Sequence, residues 1–327
     1  MALDARAPLD EPLVGGKPKA SRAACIWTLS GCVGICFWAS SFATARILSA
    51  TVGTFTSMGL SFTLGGIGAN LAMMTMGRFG TQLRNPPSYW LMCGVPFALY
   101  PFFLYLGFAQ ASGNSEIVLL TVINYLWPQI MSLLGILFLG QRWKWPLVPA
   151  MLGAVCCIIV MNFKPGMTLG DLLGSFIQIW PAAVSCVAAA VCWASYSVAA
   201  KHFARQGWPS AVPLMTIFGG LACSAGKVIT QEVSPVPLSE AVADTSFCAA
   251  LAYMIFVPVI FCRFTWDAAC RFGHLPVLTA FAYLNPFLAT MINLVVLDVP
   301  PSLMAISGSL GLVLCSAVAS VSVAEKL

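Results

Sequence analysis

Two short stretches carry the side chains best suited to chemistry. In INYLWPQI, residues 123 to 130, an asparagine, a tyrosine, a tryptophan and a proline crowd together inside an apolar run that has no charge from Ile117 to Gly140. In YLNP, residues 283 to 286, the same order returns with Asn285 in place of the tryptophan. What these residues offer is binding rather than catalysis. Aromatic faces suit a flat apolar group, and amide and hydroxyl groups supply hydrogen bonds. Pro128 has no N–H, so the carbonyl of Asn124 loses its helical partner; Pro286 does the same to Ala282.

Both stretches fall at one depth in a membrane. Trp127 lies eleven residues in from Glu116, roughly 16 Å at the helical rise, which is the middle of a hydrocarbon core ~30 Å thick. Tyr283 and Asn285 lie at a similar depth past Leu275. With ~100° of turn per residue, Thr121, Asn124, Tyr125, Pro128 and Ser132 share one arc. Thr279, Tyr283, Pro286 and Thr290 repeat it at an offset of 158. A polar stripe at that depth must face protein or water rather than lipid. On one helix it would read as bonding between neighbours, with a proline that merely bends the span. A matched pair favours a different reading: a polar wall to a central cavity, with Pro128 and Pro286 as hinges. Trp127 falls about 120° off the arc, and both packing and pocket fit it. Both also fit Tyr100 and Tyr105 in the third apolar run. Trp38 and Trp193 suit a pocket wall or gate, and equally helix packing or an interfacial belt.

Long helices must hold these side chains. The 327 residues are 59% hydrophobic and 8% charged, with a mean hydropathy of +0.89, against roughly 25% charge in soluble domains. The class is an all-α membrane protein, since a helix satisfies its own backbone in lipid. The sparse charge argues against nucleic acid as a partner. Residues 1–23 read as a disordered cytoplasmic tail with Pro8, Pro12 and Pro18. Apolar runs predict ten transmembrane helices, at 24–45, 53–76, 88–111, 116–140, 145–163, 174–200, 210–229, 246–270, 275–297 and 301–323. Arg78, Arg84, Arg142, Lys144, Lys201, Arg205 and Arg271 fall on one side of that count, while Glu116, Asp171, Glu232, Glu240, Asp244 and Asp298 fall on the other. By the positive-inside rule both termini face the cytoplasm.

The chain also repeats. FWASSFATAR (37–46) returns as CWASYSVAAK (192–201), 155 positions later, and YLWP returns as YLNP at 158, as do Gly153 and Gly311. Five spans in each half, 24–163 and 174–323, would invert the second half against the first, which is a transporter architecture. Two inverted five-helix repeats with this spacing resemble the drug/metabolite transporter superfamily in its ten-helix form. INYLWP resembles the aromatic amino acid exporter family within it. That resemblance implies export of aromatic and other neutral amino acids across a bacterial inner membrane, with Tyr125 and Trp127 against the substrate. YLNP lacks the tryptophan, so the halves are not chemically equivalent.

The expected site therefore comprises Tyr125, Trp127, Asn124, Thr121, Tyr283, Asn285, Tyr100, Tyr105, Trp38 and Trp193. No ionisable residue stands at its depth in this reading. Arg263 and Asp267, spaced i,i+4, are expected to pair and snorkel from span eight, with a gating role as the sharper alternative. The thirteen cysteines read as small packing residues, and LGGIGA and SGSLG as close-packing faces. No cofactor or metal is expected. The expected partners are an amino acid and membrane lipid, and the expected state is a monomer. Two transport alternatives stand beside the exporter: a carrier of another small neutral metabolite or drug, or a channel-like facilitator. An intramembrane enzyme would need a Ser–His pair, two aspartates or a metal site, and none is visible.

Overall fold

The computed structural model describes residues 22–112, 116, 120–121, 123–161, 168, 170, 174, 177–282, 284–296 and 303–324. These are mostly helical. In chain order they form α1 (Arg22–Trp38), α2 (Ser41–Val52), α3 (Thr54–Thr75), the single turn α4 (Phe79–Gln82) and α5 (Pro87–Ala109). Then come α6 (Trp127–Leu139), α7 (Leu147–Met161), α8 (Trp180–Arg205), α9 (Val212–Ile229) and the short α10 (Leu238–Ala241). The last are α11 (Thr245–Phe272), α12 (Leu275–Ala282), α13 (Leu284–Val296) and α14 (Leu303–Val321). One two-residue antiparallel pairing joins Arg142–Trp143 to Val323–Ala324.

Five segments are long and apolar enough to cross a membrane: Arg22–Val52, Pro87–Ala109, Trp180–Arg205, Val212–Ile229 and Thr245–Phe272. Four shorter apolar helices accompany them, Trp127–Leu139, Leu147–Cys157, Leu275–Ala289 and Ile306–Ala319. The first segment differs from the expected 24–45. It runs on to Val52 and breaks at Ala39–Ser40. The Ser40 hydroxyl donates back to the Phe37 carbonyl at 2.7 Å and meets the Tyr253 hydroxyl at 2.7 Å. A serine that bonds locally competes with the helical ladder and kinks it. Two π-helical stretches, Trp90–Gly94 in α5 and Ile255–Phe261 in α11, adjoin or contain Pro96 and Pro258. There the missing proline donor is absorbed by a widened turn.

The helices pack closely where glycines allow it. α3 lies along α9, and a Cβ on Gly66 would stand 2.7 Å from the Ile217 backbone nitrogen, while one on Gly220 would stand 2.7 Å from that of Thr63. α7 lies along α14 in the same manner. Gly153 abuts the Cys315 sulfur at 2.8 Å and Gly311 abuts the Cys157 sulfur at 2.7 Å from a built Cβ. The close-packing reading of LGGIGA therefore holds at Gly65 and Gly66, while Gly68 has nothing near it. α5 packs on α8 and α9, α1 on α11 and α12, and α6 on α8 and α12.

A carboxylate fixes the α2–α3 corner. Gly53 takes φ of 93°, a left-handed conformation that favours glycine. Glu232, in the loop after α9, accepts from the backbone N–H of Phe55 at 2.7 Å and of Thr56 at 2.9 Å, and from the Thr56 hydroxyl at 2.8 Å. It thereby caps the free donors and positive end of α3 from a different element.

Candidate functional site

α1, α2, α5, α6, α8 and α13 converge on one narrow cleft. Its walls are Trp38 from the end of α1, Ser41 and Phe42 from the start of α2, Tyr100 from α5, Asn124, Tyr125 and Trp127 around the start of α6, Trp193 from α8, and Asn285 from α13. A neighbouring compartment shares Trp38, Ser41, Phe42 and Tyr100, and adds Tyr105, Phe62 and a wall of α11 that includes Met254, Pro258 and Arg263. A third shares Phe42 and Tyr105 and ends at Arg46, Ser49 and Thr54 by the α2–α3 corner. The three adjoin through shared walls, Trp38, Ser41, Phe42 and Tyr100 between the first two and Phe42 and Tyr105 between the last two.

Local breaks place the side chains. The α1–α2 break lies at Ala39–Ser40, so Trp38 and Ser41 flank it and both face the cleft. Before α6, Tyr125 and Leu126 form a turn, and the helix begins at Trp127 with Pro128 in its first turn. A first-turn N–H has no helical acceptor, so proline loses nothing there. The turn also explains Trp127. Ideal periodicity sets it off the polar arc, but the chain is not one continuous helix across Tyr125, and Trp127 reaches the cleft beside it. Trp193, in contrast, sits within the unbroken α8, 2% exposed. Its ring meets Tyr100 at 4.8 Å, Trp38 at 5.0 Å and Tyr196 at 5.3 Å between centroids. Trp38 and Trp193, the corresponding residues of FWASSFATAR and CWASYSVAAK, therefore touch.

Eight of the ten expected residues line the first two compartments: Tyr125, Trp127, Asn124, Asn285, Tyr100, Tyr105, Trp38 and Trp193. Thr121 is buried but is not among the lining residues. Tyr283 lies outside the described residues. Pro286 falls in the first turn of α13. Lower on the arc, Ser132 and Thr279 spend their hydroxyls on the carbonyls of Pro128 and Leu275. Ser41 and Phe42 went unnoticed, although WASSF was the most visible repeat in the chain.

Arg263 requires a correction. It neither pairs with Asp267 nor snorkels; it is 2% exposed and lines the second compartment. Asp267 instead accepts from the Tyr196 hydroxyl at 2.7 Å and pairs with Arg271 at 3.8 Å. Arg271 in turn donates to the Trp208 carbonyl, and Lys201 donates to the Gly273 carbonyl at 2.7 Å. Arg263 lies nine residues before Phe272, about 14 Å from that helix end at the helical rise. A charge that deep is inside the protein, not at an interface.

No family model matches the chain. Three curated relatives do, each named aromatic amino acid exporter YddG. The protein of Salmonella typhimurium is 24% identical over 84% of this chain and 90% of its own length. That of Escherichia coli K12 is 23% identical over 86% and 92%. That of Ancylobacter novellus is 28% identical over 84% and 90%. A solved crystal structure, 25% identical, superposes with a TM-score of 0.68 over 90% of this chain and 98% of that one. This chain is thus similar, over most of its length, to three proteins named aromatic amino acid exporters.

Proposed function

We propose that this protein exports aromatic and other neutral amino acids across a bacterial inner membrane, as a monomer, by alternating access. The observation that carries the reading is the cleft itself. Six rings, those of Trp38, Phe42, Tyr100, Tyr125, Trp127 and Trp193, surround a space whose other walls are Ser41, Asn124 and Asn285. Such walls favour a flat apolar guest. Among the described residues the side-chain oxygens of Asn124 and Asn285 are buried without a hydrogen-bond partner, so they can accept from an ammonium or an indole N–H. The three curated relatives carry the same activity in their names.

The architecture we propose is ten spans in two inverted halves, 24–163 and 174–323, after a tail of residues 1–23. Reciprocal contacts support it. Residues 153 and 311 are 158 apart, as are 157 and 315, and Gly153 meets Cys315 while Gly311 meets Cys157. Residues 66 and 220 are 154 apart, as are 63 and 217, and Gly66 meets Ile217 while Gly220 meets Thr63. A two-fold exchange of the halves produces such swaps.

With both termini cytoplasmic, the row of compartments points outward, toward Arg46 and Thr54. The opposite side is closed where α8 meets α11. The Trp266 indole donates to Ser197 at 3.1 Å, beside the bonds of Tyr196, Asp267 and Arg271. Rocking of the halves would open that seam and close the α2 side. The test is tryptophan counterflow in proteoliposomes. Saturable exchange, inhibited by phenylalanine and tyrosine but not glutamate, is the expected result. Flux that never saturates would favour a channel-like facilitator, and absence of tryptophan movement would remove the exporter reading.

A further inference from the structure

We propose that Arg263 binds the carboxylate of the transported molecule, which makes the preferred ligand an aromatic carboxylate rather than any flat neutral compound. The proposal rests on the exporter reading and sharpens it.

The guanidinium is a permanent charge, since arginine does not discharge in proteins. It is buried in the wall of the second compartment, and its Nη1 has no hydrogen-bond partner among the described residues. Asp267, the nearest acidic residue along its helix, is committed to Tyr196 and Arg271. What surrounds Arg263 is aromatic: its guanidinium carbon lies 4.2 Å from the Phe62 ring centre, 4.8 Å from that of Phe97 and 5.7 Å from that of Trp193. Ring contacts steady a cation but accept none of its N–H bonds in the way a carboxylate does. A buried cation without an anion is costly, and an uncommitted one beside a cavity is a site by default. The planar fork of N–H groups matches a carboxylate with two parallel bonds.

Position selects the ligand. Trp193 faces both the ring-lined cleft and Arg263, and the two compartments share Trp38, Ser41, Phe42 and Tyr100. A small molecule with its ring in the first therefore carries its anionic end into the second. Arg263 is the one charged residue lining that compartment among those described. A single cation suits one carboxylate better than a dianionic phosphate.

The test uses purified protein in proteoliposomes, with thermal melting of the same preparations. The competitor set is tryptophan and indole-3-propionate, which have the carboxylate, against tryptophanamide and tryptamine, which lack it. In the wild type the carboxylates should inhibit tryptophan counterflow at least tenfold more tightly and should raise the melting temperature. In Arg263→Gln that preference should fall below threefold while tryptamine inhibits as before; Arg263→Lys, with charge but no fork, should lie between. Equal inhibition by tryptophanamide and tryptophan in the wild type overturns the proposal, and that arm needs no variant to fold. So does a carboxylate preference retained in Arg263→Gln, which would make Arg263 a packing cation alone. A wild type that moves no tryptophan, yet is stabilised by carboxylates and not by tryptophanamide, keeps this site and rejects the exporter reading. One stabilised by neither rejects both.

Discussion

Replacing Pro128 by alanine should damage transport while leaving stability almost unchanged. Proline costs ~3 kcal/mol in a helix interior, but Pro128 occupies the first turn of α6, where that penalty does not apply. The substitution adds one N–H. It can bond the Asn124 carbonyl only if Tyr125 and Leu126 join a continuous helix, a gain of about 0.5–1.5 kcal/mol. Against this, losing proline frees the unfolded chain by about 0.4–1 kcal/mol. The two nearly cancel, so melting should shift by only a few degrees. The geometry, in contrast, changes with every residue added to the helix, since each turns the chain by ~100°. Tyr125 and Trp127 would then no longer both face the cleft. Tryptophan counterflow should fall at least tenfold, equivalent to about 1.4 kcal/mol. Thermal melting and counterflow on one purified preparation decide the matter. Full transport in Pro128→Ala refutes the reasoning. A joint fall in stability and transport would instead mark a fixed kink that serves packing.

Gly66→Ala should lower the melting temperature, because its Cβ meets the Ile217 backbone at 2.7 Å, whereas Gly68→Ala, with open space, should raise stability by up to ~1 kcal/mol. Glu232→Gln should cost about 1.5–3 kcal/mol by weakening the charge-assisted bonds at the start of α3, read as a lower melting temperature. Trp193→Ala should cost about 3–5 kcal/mol as a buried large-to-small change, and Trp193→Phe much less. Counterflow should persist without a pH gradient, because the charged residue lining the cleft and its neighbouring compartment is an arginine, which does not titrate; flux that vanishes without the gradient would contradict this.

The lining of the candidate cleft was largely legible because polar and aromatic residues stand out in an uncharged apolar run. Asn124, Tyr125 and Trp127 are conspicuous in an uncharged run, and a proline announces the break beside them. The break at Ala39–Ser40 was not legible, since no proline marks it. It depends on Ser40 reaching Tyr253, a contact more than 200 positions away. The fate of Arg263 was hidden for a similar reason. An i,i+4 carboxylate looks like its natural partner, but Asp267 is drawn to Arg271, itself spaced i,i+4, and to Tyr196 on α8. Helical periodicity fixes which side chains share a face, not which of two equal spacings forms the pair. The glycine faces were legible as small-residue runs, but their partners were not. The Cβ position shows Gly66 in contact and Gly68 free, a distinction that needs the packed neighbour.

The central claim is that the rings around the α6 break hold the transported molecule. Its most direct test is the apparent Km for tryptophan counterflow in Tyr125→Ala, Trp127→Ala and Asn285→Ala. Loss of a stacking ring forfeits its burial and about 0.5–1.5 kcal/mol of ring contact besides. The apparent Km should rise about tenfold or more in the first two and less in Asn285→Ala, with leucine counterflow affected less than tryptophan. An unchanged Km in Tyr125→Ala and Trp127→Ala, or an equal loss of maximal rate in all three with no change in Km, would contradict it.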